Sequence, residues 1–160
     1  MVLGLFRPKP VSPRLERLHS LFLFVNLTPV ELAIVDGLLH EREYCADEVI
    51  FDEGEDGQAI YIVLEGRVAI RRDNDGAPMV LAEMEAGAVF GDVALLNNAP
   101  RLAQARAATP CRLAVFFRED FMGLLDTHAR IASKISLQIA RTLANRLRDV
   151  RIAPQTTQHL

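Results

Sequence analysis

The sequence lacks the features of membrane-spanning, secreted and disulfide-stabilised proteins. Its longest uninterrupted apolar run, over residues 59–64, has six residues, whereas a transmembrane helix needs roughly 20. The apolar stretch at the N-terminus is too short for a secretory signal, so a cytoplasmic protein is expected. The two cysteines, Cys45 and Cys111, form neither a metal-ligand spacing nor a disulfide framework. Both are expected to be buried free thiols.

Catalytic constellations are also missing. The four histidines are scattered along the chain, at His19, His40, His128 and His159. A metal-dependent barrel enzyme needs two histidines two residues apart on a strand together with a carboxylate, and no such cluster exists. There is no nucleophile elbow and no Gly-Lys-Ser/Thr phosphate loop. We therefore expect no enzymatic activity, no metal and no cofactor.

Charge is distributed unevenly. The net charge is −3, but residues 21–117 contain seven basic and sixteen acidic side chains. Residues 1–20 contain four basic and one acidic, and residues 118–160 contain seven basic and four acidic. An acidic middle argues against nucleic-acid binding there, because phosphates require a positive field. A small anionic ligand would need a local site that overcomes this field.

Proline and capping residues organise the start of the chain. Residues 1–13 contain three prolines and are predicted as an irregular arm, followed by a short helix over residues 14–21. Thr28, Pro29 and Glu31 form the pattern of a capping box with proline at the first helical position. Apolar residues at helical spacing extend this predicted helix to Leu39.

Short apolar segments separated by glycines dominate residues 43–117. Strands are predicted at residues 48–51, 59–64, 67–72, 78–84, 103–107 and 111–117. Asp75-Gly76 predicts a hairpin turn between two of them. Many strands at regular spacing favour a small β-barrel or sandwich.

Helical periodicity returns after Phe117, with a short helix predicted over residues 119–125 and a long one over residues 129–151. Branched apolar residues recur every four positions on the long helix, at Ile131, Ile135, Ile139, Leu143 and Leu147. In one interpretation this stripe packs on the β-region and the arginines face solvent, at Arg141, Arg146, Arg148 and Arg151. In the other, the helix forms a homodimer. Residues 152–160 are a tail.

One stretch has the chemistry of a sugar-phosphate site. Gly91 enters a short helical turn over residues 93–96, whose first N–H groups would be unpaired and open to an anion. Asp92 places a carboxylate that accepts hydroxyl hydrogen bonds at the same mouth. Arg101 supplies a guanidinium suited to bidentate phosphate contact. The alternative is a glycine turn in which Asp92 and Arg101 form a salt bridge.

This stretch, with Phe-Gly-Asp-Val-Ala-Leu-Leu at residues 90–96 and Pro-Arg at 100–101, resembles the phosphate-binding cassette of the cyclic nucleotide-binding domain family. The similarity covers roughly residues 18–148 and includes the Tyr-Ile-Val-Leu-Glu-Gly run at 61–66. The resemblance implies a mainly β fold with flanking helices (α+β), an eight-stranded antiparallel β-roll or jelly roll. The domain would span residues 14–151, with the β-roll at 43–117 and C-terminal helices at 119–151.

The resemblance also implies a role for each residue of the stretch. Gly91 and Ala94 would offer backbone N–H groups, and Arg101 would pair with the cyclic phosphate. The amide of Leu102 or Ala103 would complete the cradle. Asp92 stands where the family has a glutamate that accepts the ribose 2′-hydroxyl. Val93 completes the set of implied binding residues: Gly91, Asp92, Val93, Ala94, Arg101, Leu102 and Ala103.

Two departures from the family pattern bear on affinity. Asp92 is one methylene shorter than glutamate, and Leu102-Ala103-Gln104 lacks the hydroxyl groups often found after the arginine. Each lost hydrogen bond is worth roughly 0.5–1.5 kcal/mol, more for charged groups, so two losses could weaken binding by roughly 10–1,000-fold. The expected ligand is cAMP ahead of cGMP. The alternatives are cyclic di-GMP, or a ligand-free module for protein interaction or dimerisation.

The sequence does not show on which molecule the domain acts. Transcription regulators of this family carry a helix-turn-helix after the long helix, which needs at least ~20 residues, and only nine follow Arg151. No DNA-binding domain is therefore expected in this chain. The chain would act through an unidentified protein effector or a homodimer of its C-terminal helix, unless it is cut from a larger protein.

Overall fold

The computed structural model describes residues 12–152, whose centre is a roll of eight antiparallel strands in two sheets. The strands are β1 (Leu39–Tyr44), β2 (Val49–Phe51), β3 (Ala59–Glu65), β4 (Val68–Asn74), β5 (Ala77–Met84), β6 (Val89–Phe90), β7 (Gln104–Ala107) and β8 (Cys111–Phe117). One sheet has the order β1-β8-β3-β6 and the other β2-β7-β4-β5. The predicted β-roll is confirmed.

Between residues 12 and 152, five helices flank the roll: α1 (Pro13–His19), α2 (Pro29–Asp36), α3 (Val93–Leu96), α4 (Arg118–Thr127) and α5 (Ala129–Ile152). The capping box of α2 is formed as predicted. The Thr28 hydroxyl accepts from the Glu31 amide at 3.3 Å, and the Glu31 carboxylate accepts from the Thr28 amide at 2.8 Å. No described helix is long and apolar enough to cross a membrane.

The sequence analysis was wrong about the end of α2 and did not predict two of the strands, β1 and β6. Helix α2 ends at Asp36, and Leu39 is the first residue of β1, where it pairs with Phe116 of β8. Pairing with β8 outweighs the helical spacing of Leu38 and Leu39. The two-residue strand β6 was not predicted, because a strand of that length has no periodicity to detect. The predicted arm and tail lie outside the described residues except at their inner ends.

The core has two parts that meet across the first sheet. One part is enclosed by the roll, and the other lies between the first sheet and the helices. Ile131, Ile135 and Ile139 of α5 are buried in the second part, and Leu143 packs at its edge. Leu147 is 66% exposed. The first half of the stripe therefore packs on the domain, while its end does not.

The cysteines differ in environment. Cys111 is buried, as predicted, but Cys45 is exposed, so that part of the prediction was wrong. Cys45 lies just beyond β1, where its amide donates to the Glu48 carboxylate at 2.7 Å in the turn before β2. A side chain in such a surface turn has no sheet packed over it.

Candidate functional site

The candidate site is the segment between β6 and β7, residues 91–103, which we call the cassette. It starts at Gly91, whose φ of +73° lies in the left-handed region that favours glycine. A Cβ atom on Gly91 would lie 2.5 Å from Nη1 of Arg101 and 3.4 Å from the Ala59 carbonyl oxygen. The first and last parts of the cassette thus meet at a point that only glycine accommodates.

Arg101 is folded into the roll and is 9% exposed. Its Nη2 donates to the Ala59 carbonyl at 2.6 Å, and its Nη1 donates to the Gly91 carbonyl at 3.4 Å. The guanidinium carbon lies 4.1 Å from the ring centroid of Phe51 and 5.7 Å from that of Tyr61. These carbonyl and aromatic contacts hold a cation in place without cancelling its charge.

The positive charge of the Arg101 guanidinium is not neutralised by a carboxylate among the described residues. Burial lowers the pKa of its guanidinium, with Tyr61 and Glu55 acting in the opposite direction, and an arginine stays charged at neutral pH. Within the described residues Arg101 has no carboxylate in salt-bridge contact, and its buried Nε has no hydrogen-bond partner. An unpaired buried charge is costly unless a counter-ion reaches it.

Asp92 occupies the other side of the cassette and is 3% exposed. Its carboxylate is paired with Arg146 of α5, whose Nη1 lies 3.1 Å from each oxygen and is aligned for a hydrogen bond only to Oδ1. Oδ2 is buried without a hydrogen-bond partner. The alternative predicted from the sequence, a salt bridge between Asp92 and Arg101, is therefore not formed.

The contact of Arg146 was missed by the sequence analysis, which placed this residue on the solvent face of α5 in one of its two interpretations. Its side chain is half exposed, but its guanidinium reaches Asp92, 54 positions earlier in the chain. No spacing rule connects residues so far apart. The one available signal was that a buried carboxylate requires a cationic partner.

Apart from the Arg101 side chain, the second half of the cassette is held by backbone hydrogen bonds. The Arg101 amide donates to the Glu55 carbonyl at 2.7 Å, and the Gly54 amide donates to the Arg101 carbonyl at 2.8 Å. Leu102 is 76% exposed, and Nε and Nη2 of Arg72 on β4 donate to its carbonyl at 3.1 and 2.9 Å. Ala103 is half-buried.

The short helix α3 joins the two halves. Leu95 faces the core at 1% exposure, whereas Val93 is 40% exposed. The Asp92 side chain forms no capping hydrogen bond at the start of α3, which leaves that carboxylate to Arg146. Ala94 lies within α3, as expected. The structure thus places Gly91 against Arg101, and Asp92 between α3 and α5.

Another depression of the surface lies away from the cassette. It has a volume of about 680 Å³ and is lined by residues around Tyr44, Cys45 and Pro110, near the end of β3 opposite the cassette. No group of three or more potential metal ligands occurs between residues 12 and 152.

Comparison with known proteins identifies the family. Residues 41–128 match the cyclic nucleotide-binding domain. The cAMP-dependent protein kinase regulatory subunit of Mycosarcoma maydis is 33% identical over 120 residues. The cyclic AMP receptor protein of Thermus thermophilus is 34% identical over 122 residues. A cyclic nucleotide-binding domain of known structure, from Methylobacillus flagellatus, is 25% identical, with a TM-score of 0.77 and coverage of 91% of this chain and 84% of that one.

The chain belongs to the cyclic nucleotide-binding domain family. The alignments with the kinase subunit and the receptor protein cover 68% and 76% of this chain. They cover 23% and 56% of those two relatives, so the chain spans about a quarter and about half of their lengths.

Proposed function

We propose that this domain is a regulatory sensor that binds a cyclic nucleotide in the cassette, cAMP ahead of cGMP, and acts through its C-terminal helices. The observation that carries the proposal is the buried Arg101: within residues 12–152 its guanidinium has no carboxylate partner and its Nε has no hydrogen-bond partner. A cyclic phosphate supplies both the missing negative charge and the missing acceptor. The proposal assigns no catalytic step to the chain and places it in the cytoplasm.

Asp92 supports a ribose contact beside the phosphate. Its Oδ2 is buried and accepts no hydrogen bond, although Nη1 of Arg146 lies 3.1 Å away, whereas Oδ1 accepts one from Arg146. Oδ2 is therefore the oxygen that can accept a hydroxyl hydrogen bond. A ligand 2′-hydroxyl would pair an oxygen that is costly to leave unpaired. The shorter aspartate side chain requires either a closer ribose or a bridging water.

The preference for cAMP follows from the residues after Arg101. A guanine amino group is a donor that calls for a hydroxyl or another free acceptor. Leu102 has none, and the Gln104 side chain is engaged, since its Nε2 donates to Asp52 at 2.5 Å and its Oε1 accepts from Arg106 at 3.2 Å. Adenine lacks the 2-amino group of guanine, so it leaves no donor unpaired at that position of the ring.

The contact between Asp92 and Arg146 supports a relay through α5. A ligand that engages Asp92 changes the environment of the one cassette carboxylate bonded to this helix. Helix α4 packs between α3 and α5, so a shift of α3 would reach α5 by a second route. Ligand binding would then shift the population of α4 and α5 positions and expose or cover a partner surface.

Calorimetric titration tests the proposal. Protein stripped of nucleotide by unfolding and refolding is titrated with cAMP, cGMP and cyclic di-GMP, and micromolar or tighter binding of cAMP is expected. Arg101→Ala should abolish binding. Arg106→Ala is the matched control, because Arg106 also lies in this region and pairs with an acid, Asp47, at 3.2 Å. Unchanged affinity in Arg101→Ala, with folding verified by thermal melting, would refute the proposal.

A second candidate function is a ligand-free dimerisation module. It is favoured by a line of exposed residues along α5 at alternating spacings of three and four, at Leu137, Ala140, Ala144 and Leu147. This spacing is that of a coiled-coil seam. Two results together would favour this function. None of the three nucleotides would give a measurable heat of binding, and sedimentation equilibrium would show a concentration-dependent dimer that Leu147→Asp dissociates.

A further inference from the structure

An acidic loop is bonded to the second half of the cassette. This loop, residues 52–57, follows β2 and contains four exposed acids, Asp52, Glu53, Glu55 and Asp56. The Arg101 amide donates to the Glu55 carbonyl at 2.7 Å, and the Gly54 amide donates to the Arg101 carbonyl at 2.8 Å. Asp56 forms an isolated β-bridge with Pro100. The acidic loop is therefore fixed beside the residue expected to bind phosphate.

The Glu55 carboxylate lies near Arg101 in any rotamer. The Glu55 carbonyl oxygen is 2.7 Å from the Arg101 amide nitrogen, and a glutamate side chain extends about 5 Å from its Cα. The carboxylate is therefore within about 10 Å of that nitrogen, which is about one Debye length at 0.1 M salt. Burial lowers the pKa of the Arg101 guanidinium, and the charge of Glu55 is one of the effects that oppose this shift.

The acidic loop carries more negative charge than its neighbours neutralise. Arg72 lies 3.9 Å from the Glu53 carboxylate. Neither Glu55 nor Asp56 forms a salt bridge within residues 12–152. The four acids of the loop against two arginines, Arg72 and Arg101, leave a net charge of −2 beside the phosphate position. A ligand that reaches the buried Arg101 therefore finds one cation and, around it, negative charge that has no counter-ion.

We propose that the acidic loop makes the cassette selective for nucleotides whose phosphate carries a single negative charge. The inference rests on the proposed function and narrows its ligand class. The cyclic phosphate of cAMP is a phosphodiester and a monoanion, which Arg101 can neutralise. The phosphate of 5′-AMP is a monoester and carries close to two negative charges at pH 8. Its second charge would meet the carboxylates of the loop with no cation to offset it.

The charge of the ligand sets the size of the effect. The repulsion between a carboxylate and a ligand is proportional to the ligand's charge. Neutralising one carboxylate therefore multiplies the affinity for a monoanion by some factor and the affinity for a dianion by about the square of that factor. At roughly 8 Å and an effective dielectric constant of about 40–80, the factor is roughly two to five. Damage to the loop would instead lower both affinities.

Glu85 provides a matched control. It is also an exposed glutamate in a turn, its carbonyl also accepts a backbone hydrogen bond, and it forms no salt bridge within residues 12–152. Its turn is bonded to β3 at Val63, whose carbonyl accepts from the Gly87 amide at 2.8 Å. Val63 is four residues, or roughly 13 Å, along β3 from Ala59, whose carbonyl binds Arg101.

The test compares the unmodified chain, Glu55→Gln, the double variant Glu55→Gln/Asp56→Asn and Glu85→Gln, each stripped of nucleotide, at pH 8 and low ionic strength. cAMP is titrated directly, and 5′-AMP is measured by its displacement of labelled cAMP. We expect Glu55→Gln to bind cAMP about two to five times more tightly and 5′-AMP more tightly by about the square of the observed factor. The double variant should raise both affinities further, and Glu85→Gln should change neither. At 1 M salt, where the Debye length is about 3 Å, these differences should disappear.

Four results would overturn the inference while leaving the proposed function standing. The first is no gain in cAMP affinity in Glu55→Gln over Glu85→Gln. The second is a gain of the same factor for cAMP and 5′-AMP, and the third is a gain that persists at 1 M salt. The fourth is 5′-AMP that displaces labelled cAMP from neither the unmodified chain nor the double variant. An unmodified chain that binds no cAMP refutes the proposed function itself, and the inference with it.

Discussion

Replacing Gly91 by alanine tests whether the two ends of the cassette are joined as described. The new Cβ would meet Nη1 of Arg101 at 2.5 Å. The guanidinium has little room to yield, because it is buried, bonded to Ala59 and stacked on Phe51. Two costs are therefore expected, one from the backbone at φ +73° and one from the displaced arginine.

Gly76→Ala separates these costs. Gly76 has φ +85° in the hairpin between β4 and β5, and a Cβ there meets nothing within 4 Å. The backbone cost of a left-handed alanine is about 1 kcal/mol, or roughly 2–4 °C in Tm for a chain of this size. Displacing Arg101 adds roughly 1–3 kcal/mol, so Gly91→Ala should lower Tm by roughly 5–15 °C.

Affinity for cAMP should separate the two variants further. Gly91→Ala moves the cation that pairs with the phosphate and should weaken binding at least about tenfold, whereas Gly76→Ala should bind as the unmodified chain does. Differential scanning calorimetry and titration calorimetry measure the two quantities. A Gly91→Ala variant that matches Gly76→Ala in both would show that the contact between Gly91 and Arg101 does not constrain the site.

Three further predictions concern α5 and its contacts. Arg146→Met should weaken binding of cAMP and leave that of 2′-deoxy-cAMP nearly unchanged, because Arg146 orients the carboxylate expected to accept the 2′-hydroxyl; equal losses would contradict this role. The pKa of Glu31 is lowered by its hydrogen bond with Lys134 and by the Thr28 amide, so its contribution to stability is present above the ordinary pKa of 4.5 and is lost as the pH falls through the lowered value. The difference in unfolding free energy between the unmodified chain and Glu31→Gln should therefore shrink on acidification, and a difference that grows would refute the assignment. Ile135→Ala, at a fully buried position, should cost about 2–5 kcal/mol, whereas Leu147→Ala should stay within about 0.5 kcal/mol in urea unfolding of the monomer.

The sequence predicted correctly those elements that are determined by residues close together in the chain. The capping box at Thr28 needs only three residues to act, and the Asp75-Gly76 turn needs two. Both residues of that turn have positive φ, 52° and 85°. Features that depend on a distant partner were missed. Leu39 continues a helical spacing, but its place in β1 is decided by Phe116, far along the chain.

The candidate site shows the same division. The types of residue at Gly91, Asp92 and Arg101 indicated a phosphate and hydroxyl site, because their chemistry is specific. The sequence did not indicate which charges pair. Asp92 and Arg101 are nine positions apart but do not bond, whereas Arg146 and Arg72 reach the cassette from α5 and β4. Such contacts are set by the packing of whole elements.

The division of α5 into a buried and an exposed half has a mechanical consequence. The helix is anchored in the core as far as Ile139 and continues to Ile152, a further length of about 20 Å at 1.5 Å per residue. Within this length Leu143 packs at the edge of the core and Arg146 contacts Asp92. Arg146 lies about 10 Å beyond Ile139, so the end of the helix is about twice as far from the buried half as the point that touches the cassette. A tilt of about 10° at the buried half would carry the far end through roughly 3 Å. A partner bound at that end of α5 would therefore meet a larger displacement than the one that occurs at the cassette.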